Sequence, residues 1–201
     1  MDPSRLLWSF VLCETVVACH GQSPRAAQSS AAGQTADTTL GTPVDDSLAQ
    51  SAVRFTQSFY DWYRTIDDAD QVAVQRRPEY FGPELLSALR NDYEAQHRSP
   101  GEIVGIDWDP FTASQDPCDP YEAGRTTRHG DTDIVSVSHQ GCGGAKKGRP
   151  DLYAELRRYD GQWRFVDFRD TYDSVSAPAS VLESLAELAK DRASRARRGR
   201  K

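Results

Sequence analysis

From Leu48 onward, apolar residues recur at alternating steps of four and three: Leu48, Ala52, Phe55, Phe59, Trp62 and Ile66. That spacing is one face of an α-helix. Tyr60 and Tyr63 widen it, and a face so aromatic is expected either in a core or on the wall of a ligand pocket. Ser47 with Gln50 three residues later has the form of a capping box and marks the start. A second helical run, Leu85, Leu86, Leu89 and Tyr93, opens at Gly82-Pro83. Proline suits a first turn, where its missing N–H would have had no partner anyway. Ser99-Pro100-Gly101 closes this run. Residues 67–78, between the two, read as a short helix or a loop.

The period then changes to two. Residues 133–139 are β-branched and alternating, and residues 152–159 alternate again. Asp160-Gly161 follows, then a further run over 162–168. Asp-Gly between two alternating runs signals a tight hairpin. Residues 121–128 add one more strand. Simple alternation puts Trp163 and Phe165 on one side of the 162–168 strand and Val166 and Phe168 on the other, so it is expected to be covered on both faces. A last helix over 178–191 offers Val181, Leu182, Leu185, Leu188 and Ala189 as one covering face. Helices, then an antiparallel meander, then a closing helix make an α+β layer fold.

The segment before the first helix has a different character. Residues 6–12 are mainly apolar, including Trp8 and Phe10, and follow the basic Arg5. The run is too short to span a bilayer and has the length of a signal-peptide hydrophobic region. Val16-Val17-Ala18-Cys19 resembles the bacterial lipobox, in which cleavage precedes a lipidated cysteine and would leave Cys19 first in the mature chain. Glu14 interrupts the apolar run. Ordinary cleavage near Ala18 or Gly21, or a buried N-terminal helix, are the alternatives. Residues 20–46 are mostly Ser, Ala, Gln, Thr and Gly, a composition that cannot offset ordering entropy. As a flexible coil they would span about 30 Å. The expected organisation is a signal peptide over 1–18, a disordered tether over 19–46, one α+β domain over 47–191 and a disordered basic tail over 192–201. The expected location is the bacterial cell envelope, in the periplasm and anchored to the outer membrane through Cys19.

Charge adds a polarity. The chain carries −6 at neutral pH, yet Arg192, Arg195, Arg197, Arg198, Arg200 and Lys201 crowd its last residues. The remainder is therefore more acidic still, which argues against nucleic acid as a partner. The tail reads as a solvated end, or as a contact for anionic lipid or nucleic acid.

Candidate chemistry gathers between residues 107 and 121. Asp107, Asp109, Gln115, Asp116 and Asp119 lie beside Pro110, Pro117 and Pro120. Loop carboxylates bind calcium in some proteins, but this spacing is not that of an EF-hand. The plain alternative is that they hold turns by local backbone hydrogen bonds. A third reading makes the segment a partner-binding loop built from Asp107, Asp109, Phe111, Gln115, Asp116, Asp119 and Tyr121. Cys118 and Cys142 are the only cysteines after the tether, and in an oxidising compartment an even pair is read as a disulfide. Closing such a loop is worth about 3 kcal/mol in chain entropy. Zinc is the sharper alternative, because His139 and Cys142 stand at ligand spacing and His129 is nearby. No Gly-x-Ser-x-Gly and no phosphate-binding glycine loop occurs. Neither an enzymatic activity nor a cofactor or metal is expected.

Four pieces together carry a resemblance: Phe59-Tyr60-Asp61-Trp62-Tyr63; Leu85-Leu86-Ser87-Ala88-Leu89; Asp107-Trp108-Asp109-Pro110-Phe111 with Ser114-Gln115-Asp116; and Asp160-Gly161-Gln162-Trp163-Arg164-Phe165-Val166. In this order they resemble bacterial domain-of-unknown-function family 3828 over residues 52–188. The resemblance implies an exported protein, often a lipoprotein, with a cone fold like nuclear transport factor 2 or cystatin, in which helices pack on a curved antiparallel sheet. The glycine-rich stretch 141–148 is longer than the family implies. The family has no agreed activity. The expected role is thus non-enzymatic binding of an envelope protein or a small ligand. An immunity protein against a secreted toxin is one alternative, and an enzyme acting on a small molecule in an apolar cone is another.

Overall fold

The computed structural model describes residues 46–66, 69–142, 149–171 and 177–198. The expected signal peptide, Cys19 and nearly all of the tether lie outside the described residues. Helix α1 spans Asp46–Tyr63, α2 Ala69–Arg76 and α3 Pro83–Arg98, with a 3₁₀ turn over Pro78–Tyr80. Strands β1 (Tyr121–His129), β2 (Thr132–His139), β3 (Leu152–Tyr159), β4 (Gln162–Asp170) and β5 (Ala179–Ser180) follow, and α4 (Val181–Arg198) closes the chain. The five strands form one antiparallel sheet in sequence order. Helix α1 lies against β1 and β2, α3 against β4, and α4 against α3 and β4. The protein has the expected α+β architecture, with helices packed on a curved antiparallel sheet.

Local signals placed the boundaries of α3. Gly82 is its N-cap, Pro83 opens its first turn and Ser99 is its C-cap. At the β3–β4 hairpin Asp160 and Gly161 both have positive φ, 49° and 81°, which matches the right-handed twist of the paired strands.

Helix α1 turns the tyrosine flank of its apolar stripe furthest inward. Ala52, Thr56, Phe59, Tyr60 and Tyr63 are buried, whereas Leu48, Phe55, Trp62 and Ile66 are only partly covered. The helix is aromatic on several sides, so apolar spacing alone did not fix its rotation. The buried tyrosines are favoured because their hydroxyls find acceptors: Tyr60 Oη donates to the Phe111 carbonyl at 2.6 Å and Tyr63 Oη to Asp109 Oδ2 at 2.8 Å. Phe59 sits at the centre, with ring centroids 6.0, 5.6 and 5.0 Å from Phe81, Phe111 and Phe165.

Strand β4 corrects the expected assignment of residues to its two faces. Leu156 pairs with Phe165 and Glu155 with Asp167, so Val166 is an extra residue in a β-bulge. The bulge shifts the alternation by one. Phe165 and Phe168 therefore face the same core, 4.9 Å apart, and Asp167 takes the other face. There Ser180 Oγ donates to Asp167 Oδ2 at 2.6 Å, and the Leu182 N–H donates to Oδ1 at 2.9 Å. Burial pushes the Asp167 carboxyl above the usual range, and these two hydrogen bonds oppose the shift. Ser180 Oγ also accepts from the Glu183 N–H at 3.0 Å, so the start of α4 is tied to β4 by a helix cap.

Helix α4 runs past Asp191 to Arg198, through most of the stretch expected to be disordered. Arg192, the first residue of that stretch, is anchored. Its Nη1 donates to Asp92 Oδ1 and to the Val104 carbonyl, each at 2.6 Å. Asp92, on α3, is wholly buried and also accepts from the Ile106 N–H and Gln96 Nε2. A carboxylate removed from water needs such a set of donors, and the chain continues as helix to supply one of them.

Candidate functional site

The segment from Asp107 to Tyr121 leads into β1, and its candidate residues divide into two sets. Asp109, Phe111 and Tyr121 turn inward. Phe111 is a fully buried core residue, and Tyr121 is buried beneath the loop, its ring stacked on Tyr60 at 5.5 Å. Asp109 is the keystone of the turn. Its Oδ1 accepts from the Phe111 N–H at 2.8 Å, its Oδ2 from Tyr63 Oη, and its own N–H reaches the Ser114 carbonyl at 2.9 Å. Burial raises the Asp109 carboxyl to about 6, opposed by its bonds from Phe111 and Tyr63. Burial, reinforced by the Asp109 charge, holds the Tyr60 and Tyr63 phenols far above their ordinary range. The expectation that Asp109, Phe111 and Tyr121 present themselves to a partner is thereby corrected: the core and the turn absorb them.

Asp107, Gln115, Asp116 and Asp119 remain exposed. Gln115 Nε2 donates to the Asp107 carbonyl at 3.3 Å. Ser114 Oγ donates to the Asp116 carbonyl at 2.8 Å and accepts from the Asp116 N–H at 3.1 Å. The loop is thus braced by its own polar side chains, as the turn-holding reading expects.

Cys118 and Cys142 form a disulfide, with Cα atoms 5.5 Å apart. It joins the residue group before β1 to the turn after β2, stapling the base of that hairpin to the loop. The pairing also takes both thiolates away from zinc. Among the described residues no group of His, Cys, Asp or Glu is placed to hold a metal ion.

Behind the loop lies an open hollow of about 650 Å³, lined by Trp108, Gln115, Asp116, Tyr121, His139 and Asp151 among others. His139 and Asp151 are hydrogen-bonded twice: the His139 backbone N–H donates to Asp151 Oδ2 at 2.6 Å, and Nδ1 lies 2.8 Å from the same oxygen. Arg149 closes one side by donating to the Thr171 carbonyl. Sequence reading missed the His139–Asp151 pair. Asp151 stands out in no motif; only the β2–β3 register, with Val137 opposite Leu152, brings the two together. Among the described residues the His139 side chain hydrogen-bonds only to Asp151, so the pair orients an imidazole at the rim without an aligned hydroxyl or thiol nucleophile.

Fold and site together define an α+β domain with an aromatic-filled interior and a disulfide-stapled loop over a surface hollow. Among solved structures it is similar to a chain of the native type VI effector–immunity complex Tae3–Tai3 from Ralstonia pickettii, at 24% identity over 60% of this chain and 94% of that chain, with a TM-score of 0.42. A chain of the selenomethionine form of that complex gives 23% identity, 60% and 96% coverage, and a TM-score of 0.43. No protein-family model matches the chain, and no curated protein does.

Proposed function

We propose that this chain is an exported, non-enzymatic domain that binds another protein through the stapled loop and the rim of its hollow. The observation that carries the reading is the pre-set loop. Asp109, Ser114 and the Cys118–Cys142 bridge hold its backbone, while Asp107, Gln115, Asp116 and Asp119 stay exposed. A loop already ordered loses little entropy when it docks. The interior favours binding over catalysis. Phe59, Phe81, Phe111, Phe165 and Phe168 fill the space between α1 and the sheet, where a cone enzyme would keep its substrate.

The partner we favour is a secreted toxin, with this chain as its immunity protein. Exposed carboxylates on the loop and an overall acidic chain suit a basic target. The case rests on that charge and loop geometry, not on the distant likeness to effector–immunity chains. Export belongs to the same reading: the disulfide fits an oxidising compartment, and Cys19 supplies the lipid anchor.

Crosslinking in the envelope fraction, followed by pull-down with wild type and with the double variant Gln115→Ala/Asp116→Lys, tests the binding role. A protein captured by wild type and lost with the variant is expected; equal capture by both would overturn the site. Growth protection on co-expression with a toxin encoded next to this chain tests the immunity role, and no protection from any neighbouring toxin ends it. Palmitate labelling tests the anchor, with incorporation expected in wild type and absent from Cys19→Ala.

A further inference from the structure

The basic residues at the end of α4 do two different jobs. Arg192 is half-buried and committed to Asp92 and Val104. From Ala193 to Arg198 every residue is exposed, although the helix continues without a break. This end of α4 therefore projects from the body, presenting Arg195, Arg197 and Arg198, with Arg200 and Lys201 next in the sequence and no acidic residue after Asp191. Arg195 pairs with Asp191 at 2.7 Å, in an exposed i,i+4 contact that contributes little and is lost readily to a competing anion.

We infer that the projecting basic end of α4 is a docking element for an anionic phospholipid surface. Charge complementarity carries the inference. The rest of the chain is acidic and would be repelled by anionic headgroups, so the attraction has to act locally. At 1.5 Å per residue the exposed stretch extends about 9 Å beyond Arg192. That matches the Debye length of about 8 Å at physiological ionic strength, so the body's negative charge is screened where the arginines meet the headgroups. Clustered Lys and Arg beside a membrane bind anionic lipid in this way. The biological setting rests on the proposed export and lipid anchor, but the charge geometry does not.

The test uses full-length chain carrying Cys19→Ser, so that acylation plays no part, sedimented with vesicles of pure phosphatidylcholine or of phosphatidylcholine with a quarter phosphatidylglycerol. The expected result is at least tenfold more protein pelleted with the anionic vesicles at physiological ionic strength, abolished by half-molar NaCl. The triple variant Arg195→Glu/Arg197→Glu/Arg198→Glu, at exposed positions, is expected to lose it with an unchanged circular dichroism spectrum. Equal pelleting with both vesicle types, or none with either, overturns the proposal. So does retention of binding by the triple variant. A gel shift with duplex DNA forms the second arm, and tight DNA binding without vesicle binding would assign the helix to nucleic acid instead. Failure of palmitate labelling with success here would remove the anchor and leave the docking element standing.

Discussion

Gln57 on α1 serves Ala123 on β1 as a neighbouring strand would. Its Oε1 accepts from the Ala123 N–H at 2.8 Å, and its Nε2 donates to the Tyr121 carbonyl at 3.2 Å. β1 is an edge of the sheet, and unpaired edge groups invite pairing with another chain. One side-chain amide satisfies two of them.

Replacing Gln57 by Leu is therefore expected to cost about 1–2 kcal/mol, from the two hydrogen bonds lost at the strand edge and the groups left unsatisfied there. The variant is also expected to self-associate as its concentration rises. Thermal melts and light scattering check this; a monomeric variant with wild-type stability would show that the amide does not guard the edge.

Asp109 makes stability depend on pH in an unusual direction. Its folded pKa is raised from 3.8 to about 6, so the folded chain binds a proton more readily than the unfolded chain does. This group's contribution is fully favourable below about pH 4 and is lost as pH rises through about 6. The loss is on the order of 3 kcal/mol. Asp109→Asn removes the charge at nearly constant shape. The difference in urea midpoint between variant and wild type is expected to shift in the variant's favour from pH 4 to pH 7.5. A difference independent of pH would contradict the assignment.

The Asp92–Arg192 pair predicts a larger loss. Arg192→Ala leaves a wholly buried carboxylate without its cation, which costs about 3 kcal/mol or more. The double variant Asp92→Asn/Arg192→Met is expected to recover much of that loss, because both charges are gone. Chemical denaturation of the two variants checks it, and a mild effect of Arg192→Ala alone would place the pair outside the cooperative core.

Reducing the Cys118–Cys142 bridge is expected to lower stability by about 2–4 kcal/mol. It should also loosen the 107–121 loop while leaving β3 and β4 protected. Hydrogen exchange with and without reductant reads both effects; uniform loss of protection across the sheet would mean that the bridge supports the whole domain rather than the loop.

Much of the fold was legible along the chain because its signals are local. Gly82-Pro83 and Ser99-Pro100-Gly101 bound α3, and Asp160-Gly161 supplies the positive φ that the β3–β4 turn needs. The even pair of cysteines indicated the bridge that the structure contains. Rotation and phase were another matter. The stripe on α1, with Tyr60 and Tyr63 beside it, was broad, and the part that went furthest inward was the flank whose tyrosine hydroxyls met Phe111 and Asp109. Alternation placed Phe168 opposite Phe165 until the bulge at Val166 brought them together.

The candidate site divided in the same way. Its location between residues 107 and 121 was set by composition, since aspartates and prolines build turns from nearest-neighbour bonds. Which residues would be free to meet a partner depended on groups far away in sequence: Tyr63 and Phe111 drew Asp109 inward, Tyr60 took Tyr121, and the β2–β3 register brought Asp151 to His139. Arg192, read from the sequence as part of a loose tail, found Asp92 across the body and carried the helix with it. Turns and caps follow from dihedral preferences that a few adjacent residues impose. The burial of a charge is decided only when the whole chain has closed around it.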